Sequence, residues 1–524
     1  MSLLQAVIGK VETAETSSEQ ADSVFERRTP ELVIGFIGPV ASGVTTTVNA
    51  FRRILEKEFG YEVPEPIRVS SLINKWSSRV SMSASHDMKG AKRIEHLQST
   101  GNTLRARFSS DILAKLVIDE IAVQRKTNNG FRKVSTPSGD TSVPVPIRRA
   151  YLVDSIKHPA ELRLFQEVYG EMFWCVGVFA PEFVRLKRLT KTMSKSEAEK
   201  IMERDQGENL EEGQKVRKIF SESDYFIRNE HDTEKPLEDT VLRFLDIIFH
   251  GTIHTPNRHE AAMFKAASVA AKSGCMSRQV GAAIVSKSGD LLAVGWNDVP
   301  KFGGGLYEEP LKEKDFLDAR CFKWKQGLCH NDERKANLID NIIAKLLDKR
   351  VIKKGTDITP IRKALKETEL SSIIEYSRSI HAEMEAIISV ARNGGKSILD
   401  SILYTTTYPC HNCARHIVVS GIREVYYIEP YPKSLADSLH EDTISSDERN
   451  SATQVIFRQY EGVAPKNILK LFNSRIERKQ SGKVILFDRK RQEPIYRPHL
   501  DSFTIYEAQI VKQLREMESK TSQP

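Results

Sequence analysis

Two short segments, His381-Ala382-Glu383 and Pro409-Cys410-His411-Asn412-Cys413, constrain this chain more than any other feature. Three metal-ligating side chains and one free carboxylate have to meet at a point. Residues 410–419 carry Ala414, Ile417 and Val418 at helical spacing, and Pro409 stands at the start, where a helix tolerates proline. Cys410 and Cys413 then share one face of the first turn, where the positive end of the helix favours thiolate over thiol. Residues 381–392 also read as a helix, stopped by Asn393-Gly394-Gly395. Side chains two apart inside a helix point roughly 200° from each other, so His381 and Glu383 can serve one ion only at the helix start. The fold therefore has to bring two helix starts together.

The residue types indicate which ion and what chemistry. Two thiolates and a neutral imidazole offset the charge of a divalent zinc and leave one coordination position for water. His381, Cys410 and Cys413 are the candidate zinc ligands. Glu383, kept off the metal, is the candidate catalytic residue, able to take a proton from that water and deliver it to a ring nitrogen. The alternative is half of a closed four-ligand structural site, which needs a second close cysteine pair. Cys321 with Cys329-His330 is only a loose candidate for that pair. The combination of H-x-E with P-C-x-x-C resembles the signature of zinc-dependent nucleobase deaminases.

The surrounding order narrows the resemblance. A helix over 260–272 leads into Ser277-Arg278-Gln279-Val280-Gly281-Ala282-Ala283-Ile284-Val285, then residues 291–294, then Gly295-Trp296-Asn297-Asp298-Val299-Pro300, which read as strand, turn, strand and loop. Further strands fall at 402–406 and 425–428, on either side of the cysteine helix. This order resembles the cytidine deaminase-like fold, a three-layer α/β/α arrangement. The G-x-N-x-x-P segment and the run from Tyr408 through Arg415 to Ser420-Gly421-Ile422 resemble deoxycytidylate deaminases in particular. That resemblance implies that Asn297 contacts the sugar of a nucleotide. Backbone preference alone makes it equally a turn residue. The match covers about residues 255–430, interrupted over 301–376 by an insertion long enough to be functional. The insertion holds Gly303-Gly304-Gly305, a charged helical stretch over 337–350, and Cys321, Cys329 and His330 as candidates for a second metal. Sparse Cys and His in a charged segment are more often packing or surface residues.

The N-terminal half has a different pattern. Leu32-Val33-Ile34-Gly35-Phe36-Ile37 is an apolar strand leading into Gly38-Pro39-Val40-Ala41-Ser42-Gly43-Val44-Thr45-Thr46 and an amphipathic helix through Leu55. Strand, glycine loop and helix form a phosphate cradle, in which backbone N–H groups face an anion. Gly38, Ser42, Gly43, Val44, Thr45 and Thr46 are the candidate nucleotide-binding residues. Val44 stands where the phosphate-binding Lys of a P-loop belongs, so nucleotide binding is favoured over phosphoryl transfer. Residues 150–161, with Asp154 at a strand end, and 173–181, with Arg185 and Arg188 following, resemble P-loop nucleotide kinases. So do Arg204-Asp205 and residues 223–229. ATP or GTP is the expected occupant.

At 524 residues the chain exceeds what one core supports. The expected organisation is a flexible, acidic segment at 1–30, a P-loop kinase-like domain at 31–250, a deaminase-like zinc domain at 251–475, and an extension at 476–524. Residues 242–249 are expected to form a connecting helix, and the last hundred residues to dock on the deaminase half. A net charge of +8 suits anionic nucleotides without requiring a nucleic-acid partner. Six cysteines fit a reducing, cytoplasmic setting, and neither a membrane span nor a signal peptide is expected.

The whole architecture resembles bacterial anti-phage dCTP deaminases. The resemblance implies deamination of dCTP, and often dCMP, to uracil nucleotides, which drains the deoxycytidine pool. It also implies a regulatory P-loop half, answering to a nucleotide or RNA, and a homo-oligomer. Two other classes stay open: a deaminase acting on RNA or single-stranded DNA, and a nucleotide-binding switch that controls a partner.

Overall fold

The computed structural model describes residues 28–521 except 137–138, 207–212, 231–232, 311–317, 325, 395, 432, 474–476 and 486. The lead-in expected over 1–30 lies outside the described residues as far as 27.

A strand that is apolar on both faces needs cover on both sides. β1 (Leu32–Ile37) is such a strand, buried along its whole length. It sits at the centre of a parallel sheet with β2 (Ile67–Arg68), β3 (Ala150–Asp154), β4 (Phe173–Phe179) and β5 (Tyr225–Arg228), in the order β5-β4-β1-β3-β2. Residues 38–43 link β1 to α1 (Val44–Phe59), which runs a turn past Leu55. Gly43 is required at the bend: its φ is 86°, and a Cβ there would lie 2.3 Å from the Asn229 amide nitrogen. Around this sheet lie α2 (Ile112–Thr127), α3 (Glu182–Leu189) and α4 (Lys235–Phe249). α4 starts earlier than the 242–249 helix expected from the apolar run, because Pro236 is tolerated in its first turn.

The second sheet follows α5 (Arg258–Ala270) and comprises β6 (Gly281–Val285), β7 (Leu291–Trp296), β8 (Ile402–Thr407), β9 (Glu424–Glu429), β10 (Ile444–Ser445) and β11 (Val455–Gln459). Its order is β10-β11-β9-β8-β6-β7. Strand alternation sends neighbouring residues to opposite faces. Ala282 and Ile284 pack with Ala382, Ala386, Ala414 and Ile417, whereas Ala283 and Val285 pack with Met263 and Ala266 of α5. α6 (Ala382–Asn393) and α7 (His411–Val419) therefore cover one face and α5 the other, which is the three-layer arrangement. Residues 277–280, expected as strand, are loop; β6 begins only at Gly281.

Gly295 permits the close contact that seats the metal-ligand helix. A Cβ at Gly295 would fall 2.3 Å from the Ala382 carbonyl oxygen and 2.5 Å from the Ala386 nitrogen, so α6 lies directly on β7.

The two sheets are joined through one buried carboxylate. Glu260, fully buried, accepts from its own helix start at Asn257 N (2.7 Å), from both terminal nitrogens of Arg243 on α4 (2.8 and 2.7 Å), and from Val463 N (3.0 Å). Val463 belongs to β12 (Gly462–Val463), which leaves the second sheet and pairs antiparallel with β5 in the first. Phe226 and Tyr460 meet at the same junction, with ring centroids 5.9 Å apart.

The C-terminal region corrects an expectation in part, since β10 and β11 do join the second sheet. α8 (Leu500–Thr521) docks on α2, beside the first sheet, and not on the deaminase half. Leu500, Phe503, Glu507, Ile510 and Leu514 form its buried stripe at three- and four-residue spacing. Glu507 joins Glu31 in pairing the fully buried Arg125, whose Nη2 stands 2.8 Å from Glu31. A buried guanidinium needs such partners, and this need brings the helix to α2. No helix among the described residues is long and apolar enough to cross a membrane.

Removing one side of a buried, hydrogen-bonded charge pair leaves the other uncompensated. Glu260→Ala is expected to destabilise the fold by about 3 kcal/mol, read as a lower midpoint in urea unfolding. An unchanged midpoint would refute the joining role of Glu260.

Candidate active site

The ligand helices start where the sequence requires. His381 is the N-cap of α6 and Cys410 the N-cap of α7, both with extended backbone, so neither side chain follows the helical stagger. Glu383 and Cys413 lie in the first turns of their helices. His381 Nδ1 is 3.3 Å from both Cys410 Sγ and Cys413 Sγ. The ligand atoms of His381, Cys410 and Cys413 all lie within 4.8 Å of one another. Tetrahedral zinc with ordinary Zn–S and Zn–N bonds puts sulfur and nitrogen about 3.5 Å apart, so the cluster fits that ion closely.

The electrostatics agree. Cys410 is pulled down to about 4 by the Cys413 thiol that donates to it and by His381, against the opposing effect of burial. Cys413 is pushed well up by that same hydrogen bond and by burial. Burial acts to lower His381, yet its hydrogen bond to Cys410 and the charge there raise it to about 9. Such a buried, converging group of two sulfurs and an imidazole suits a divalent cation.

Glu383 is 4% exposed, with Oε2 3.5 Å from Cys413 Sγ. Burial raises its pKa. A carboxyl that holds a proton more readily than usual, beside a metal site, is suited to carrying protons in both directions.

These residues open onto a cavity of about 320 Å³. Asn297 lines it, but both ends of its amide are already engaged: Oδ1 accepts from Val280 N (2.7 Å) and Nδ2 donates to Arg278 O (2.8 Å). Asn297 therefore holds loop 277–280 in place, and one N–H and one lone pair remain for a ligand. The insertion supplies much of the opposite wall, including Lys335 and Ser371, with Arg378 just beyond it. Lys335, Arg378 and Lys433 escaped the sequence reading, because a lone cation in a loop or insertion carries no pattern.

The second-metal candidates do not assemble. Among the described residues only His381, Cys410 and Cys413 bring three ligand atoms together. Cys321, Cys329 and His330 line the cavity wall, with His330 Nδ1 turned to Glu333 at 3.5 Å.

The glycine-loop candidates form a separate group at the first sheet. Thr45 Oγ1 donates to Asp154 Oδ2 at 2.7 Å, and Thr46 is exposed beside it. Val44 packs its methyl group over Gly38, 2.6 Å from where a Cβ would be. Lys157 donates to the Gly38 carbonyl at 2.8 Å and pairs with Asp205 at 2.9 Å, which brings a cation to the loop by another route. Ser42 Oγ is buried and has no hydrogen-bond partner among the described residues.

A three-layer α/β sheet, one open His/Cys/Cys site and a buried carboxylate beside it define a metal-dependent hydrolase. Residues 256–429 match the family model for the cytidine and deoxycytidylate deaminase zinc-binding region. The deoxycytidylate deaminase of Enterobacteria phage T4 is 32% identical over 168 residues, which span 32% of this chain and 75% of that protein. The phage T2 deoxycytidylate deaminase is 31% identical over 168 residues, or 77% of its length. A crystal structure of dCMP deaminase from cyanophage S-TIM5 is 20% identical and covers 40% of this chain and 100% of its own, with a TM-score of 0.22, too low to bear on the assignment. The chain is an enzyme that belongs to the deoxycytidylate deaminase family.

Purified wild-type protein and Glu383→Ala are each expected to carry about one zinc per chain, whereas Cys413→Ala loses it. Elemental analysis measures this, and full zinc in Cys413→Ala would exclude the site.

Proposed function

We propose that the protein hydrolyses the amino group from the cytosine ring of deoxycytidine nucleotides, converting dCTP or dCMP and water to dUTP or dUMP and ammonia. The observation that carries this reading is the buried Glu383 carboxyl, 3.5 Å from Cys413 Sγ, beside three converging ligand atoms. His381, Cys410 and Cys413 would hold a zinc ion, which when bound would supply the Lewis acidity that makes a water acidic enough to lose a proton near neutral pH. Glu383 accepts that proton and passes it to the ring nitrogen next to the amino-bearing carbon. A new C–O bond forms there as the ring C=N π bond takes up that proton. Glu383 then takes the remaining proton of the added hydroxyl and delivers it to the amino group as the C–N bond breaks and the ring carbonyl forms, so it ends as it began. Asn297 shapes loop 277–280 and offers its remaining N–H to the sugar.

Arg278, Lys335, Arg378 and Lys433 in the cavity wall support a substrate that carries phosphates, and their number favours the triphosphate. In this reading the first sheet is the regulatory half, a P-loop kinase-like unit that binds ATP or GTP on the glycine loop. Three observations support nucleotide binding there: the Thr45–Asp154 pair, the Lys157 cation, and the Ser42 hydroxyl without a partner. Val44 argues against rapid phosphoryl transfer. The two-part architecture supports a role in depleting the deoxycytidine nucleotides that a replicating phage needs.

The deciding assay is ammonia release from dCMP, dCTP, CTP, cytidine and short RNA, with and without ATP or GTP. Turnover of dCTP or dCMP is expected to exceed that of the rest, and failure of both with zinc in place would overturn the reading. Glu383→Ala should lower kcat by about 10²–10⁴-fold with zinc retained. A normal rate would remove Glu383 from the chemistry. Thr45→Ala should weaken binding of labelled ATP or GTP without changing zinc content, and unchanged binding would reduce the loop to a structural turn.

A further inference from the structure

Asp205 is 2% exposed and lies near the C-terminal end of the helix Lys195–Gln206. Its Oδ2 accepts the backbone N–H of Val40, in the glycine loop, at 2.6 Å. Its Oδ1 accepts from Lys157 Nζ at 2.9 Å, and that same ammonium donates to the Gly38 carbonyl at 2.8 Å. A glycine loop offers a phosphate two kinds of donor, backbone N–H groups and a lysine ammonium. Here a single carboxylate holds one of each. Asp205 is thus an anion of the protein's own, placed on donors that such a loop gives to a ligand.

The residue at 44 strengthens the comparison. With Val44 where a P-loop carries its lysine, Lys157 is the lysine that reaches the loop, and Asp205 already neutralises it. A phosphate arriving at the loop meets a like charge and a pair of donors in use.

The contact is also one the molecule can release. The helix Lys195–Gln206 buries three apolar side chains, Ala198, Ile201 and Met202. Ala198 and Met202 form a small cluster with Leu189, and this cluster packs against Val40 and Ala41 of the glycine loop, apart from the cores of the two sheets. A short helix with so small an apolar anchor belongs to the part of a fold that opens at low cost. Withdrawal returns a buried carboxylate to water, while a phosphate, with more charge and more oxygens, takes over the Val40 N–H and Lys157. One anion is exchanged for another and no donor is left bare.

We infer that Asp205 is a gate on the glycine loop: it holds the loop against nucleotides, and a nucleoside triphosphate binds by displacing it and freeing the end of the helix Lys195–Gln206. This rests on the nucleotide-binding reading of the loop and adds what opposes that binding and what moves when it occurs. An Asp205 that only tied Lys157 to the loop would have the opposite effect on affinity, since its loss would loosen the loop and weaken binding.

The test is binding of labelled ATP and GTP to the full chain. Asp205→Asn keeps the shape and one acceptor oxygen but removes the charge, and is expected to bind the preferred nucleotide about tenfold or more tightly than wild type. Equal or weaker binding by Asp205→Asn, where wild type binds, would overturn the gate and leave the nucleotide site standing. No binding by either protein would overturn both. Hydrogen exchange on wild type keeps the gate refutable if the variant does not fold: saturating nucleotide is expected to speed amide exchange over 195–206 while slowing it over the glycine loop. Exchange over 195–206 that is unchanged or slower would overturn the gate.

Discussion

Glu260 is the carboxylate on which the arrangement of the two sheets depends. It closes the first turn of α5, takes both terminal nitrogens of Arg243 from the first half, and accepts the N–H of Val463 as the chain returns. Four donors on one buried carboxylate offset its desolvation. Since α5 packs on the face of the second sheet opposite the metal helices, fixing α5 fixes the frame that carries the ligands.

The chemistry of the site follows from where two helices begin. A histidine and a cysteine at N-cap positions are free of helical stagger and lie at the positive ends of the helix dipoles, where thiolate is favoured. Glu383 and Cys413, within the first turns, are pressed into low-dielectric surroundings. The Cys413 hydrogen bond and His381 make the Cys410 thiol acidic, while burial makes the Glu383 carboxyl reluctant to ionise. Gly295 makes this geometry attainable, because any side chain there would push α6 off its strand.

The local patterns in the sequence proved legible and the distant ones did not. His381, Glu383, Cys410 and Cys413 could be read because cap position, helix start and ligand type coincide within a few residues. The strands β8 and β9 lie where hydrophobic runs placed them, within a residue at each end. Loop 277–280 was misread as strand because its apolar and polar mixture gives no hint that the Asn297 side chain would occupy its backbone groups. The stripe from Leu500 to Leu514 is visible in the sequence at three- and four-residue spacing, but it does not say which surface it covers. Its docking partner, Arg125, lies nearly four hundred residues away and no local rule connects the two.

The return of β12 to the first sheet has a topological consequence. The edge strand beside β5 is encoded after the whole of the second sheet, so the catalytic half is an insertion within the fold of its neighbour, not an appendage to it. A unit threaded in this way is clamped at its entry and at its exit. Any strain in the host sheet arrives at two points at once, and neither half can be traded for another module without tearing a hydrogen-bonded strand from its mate.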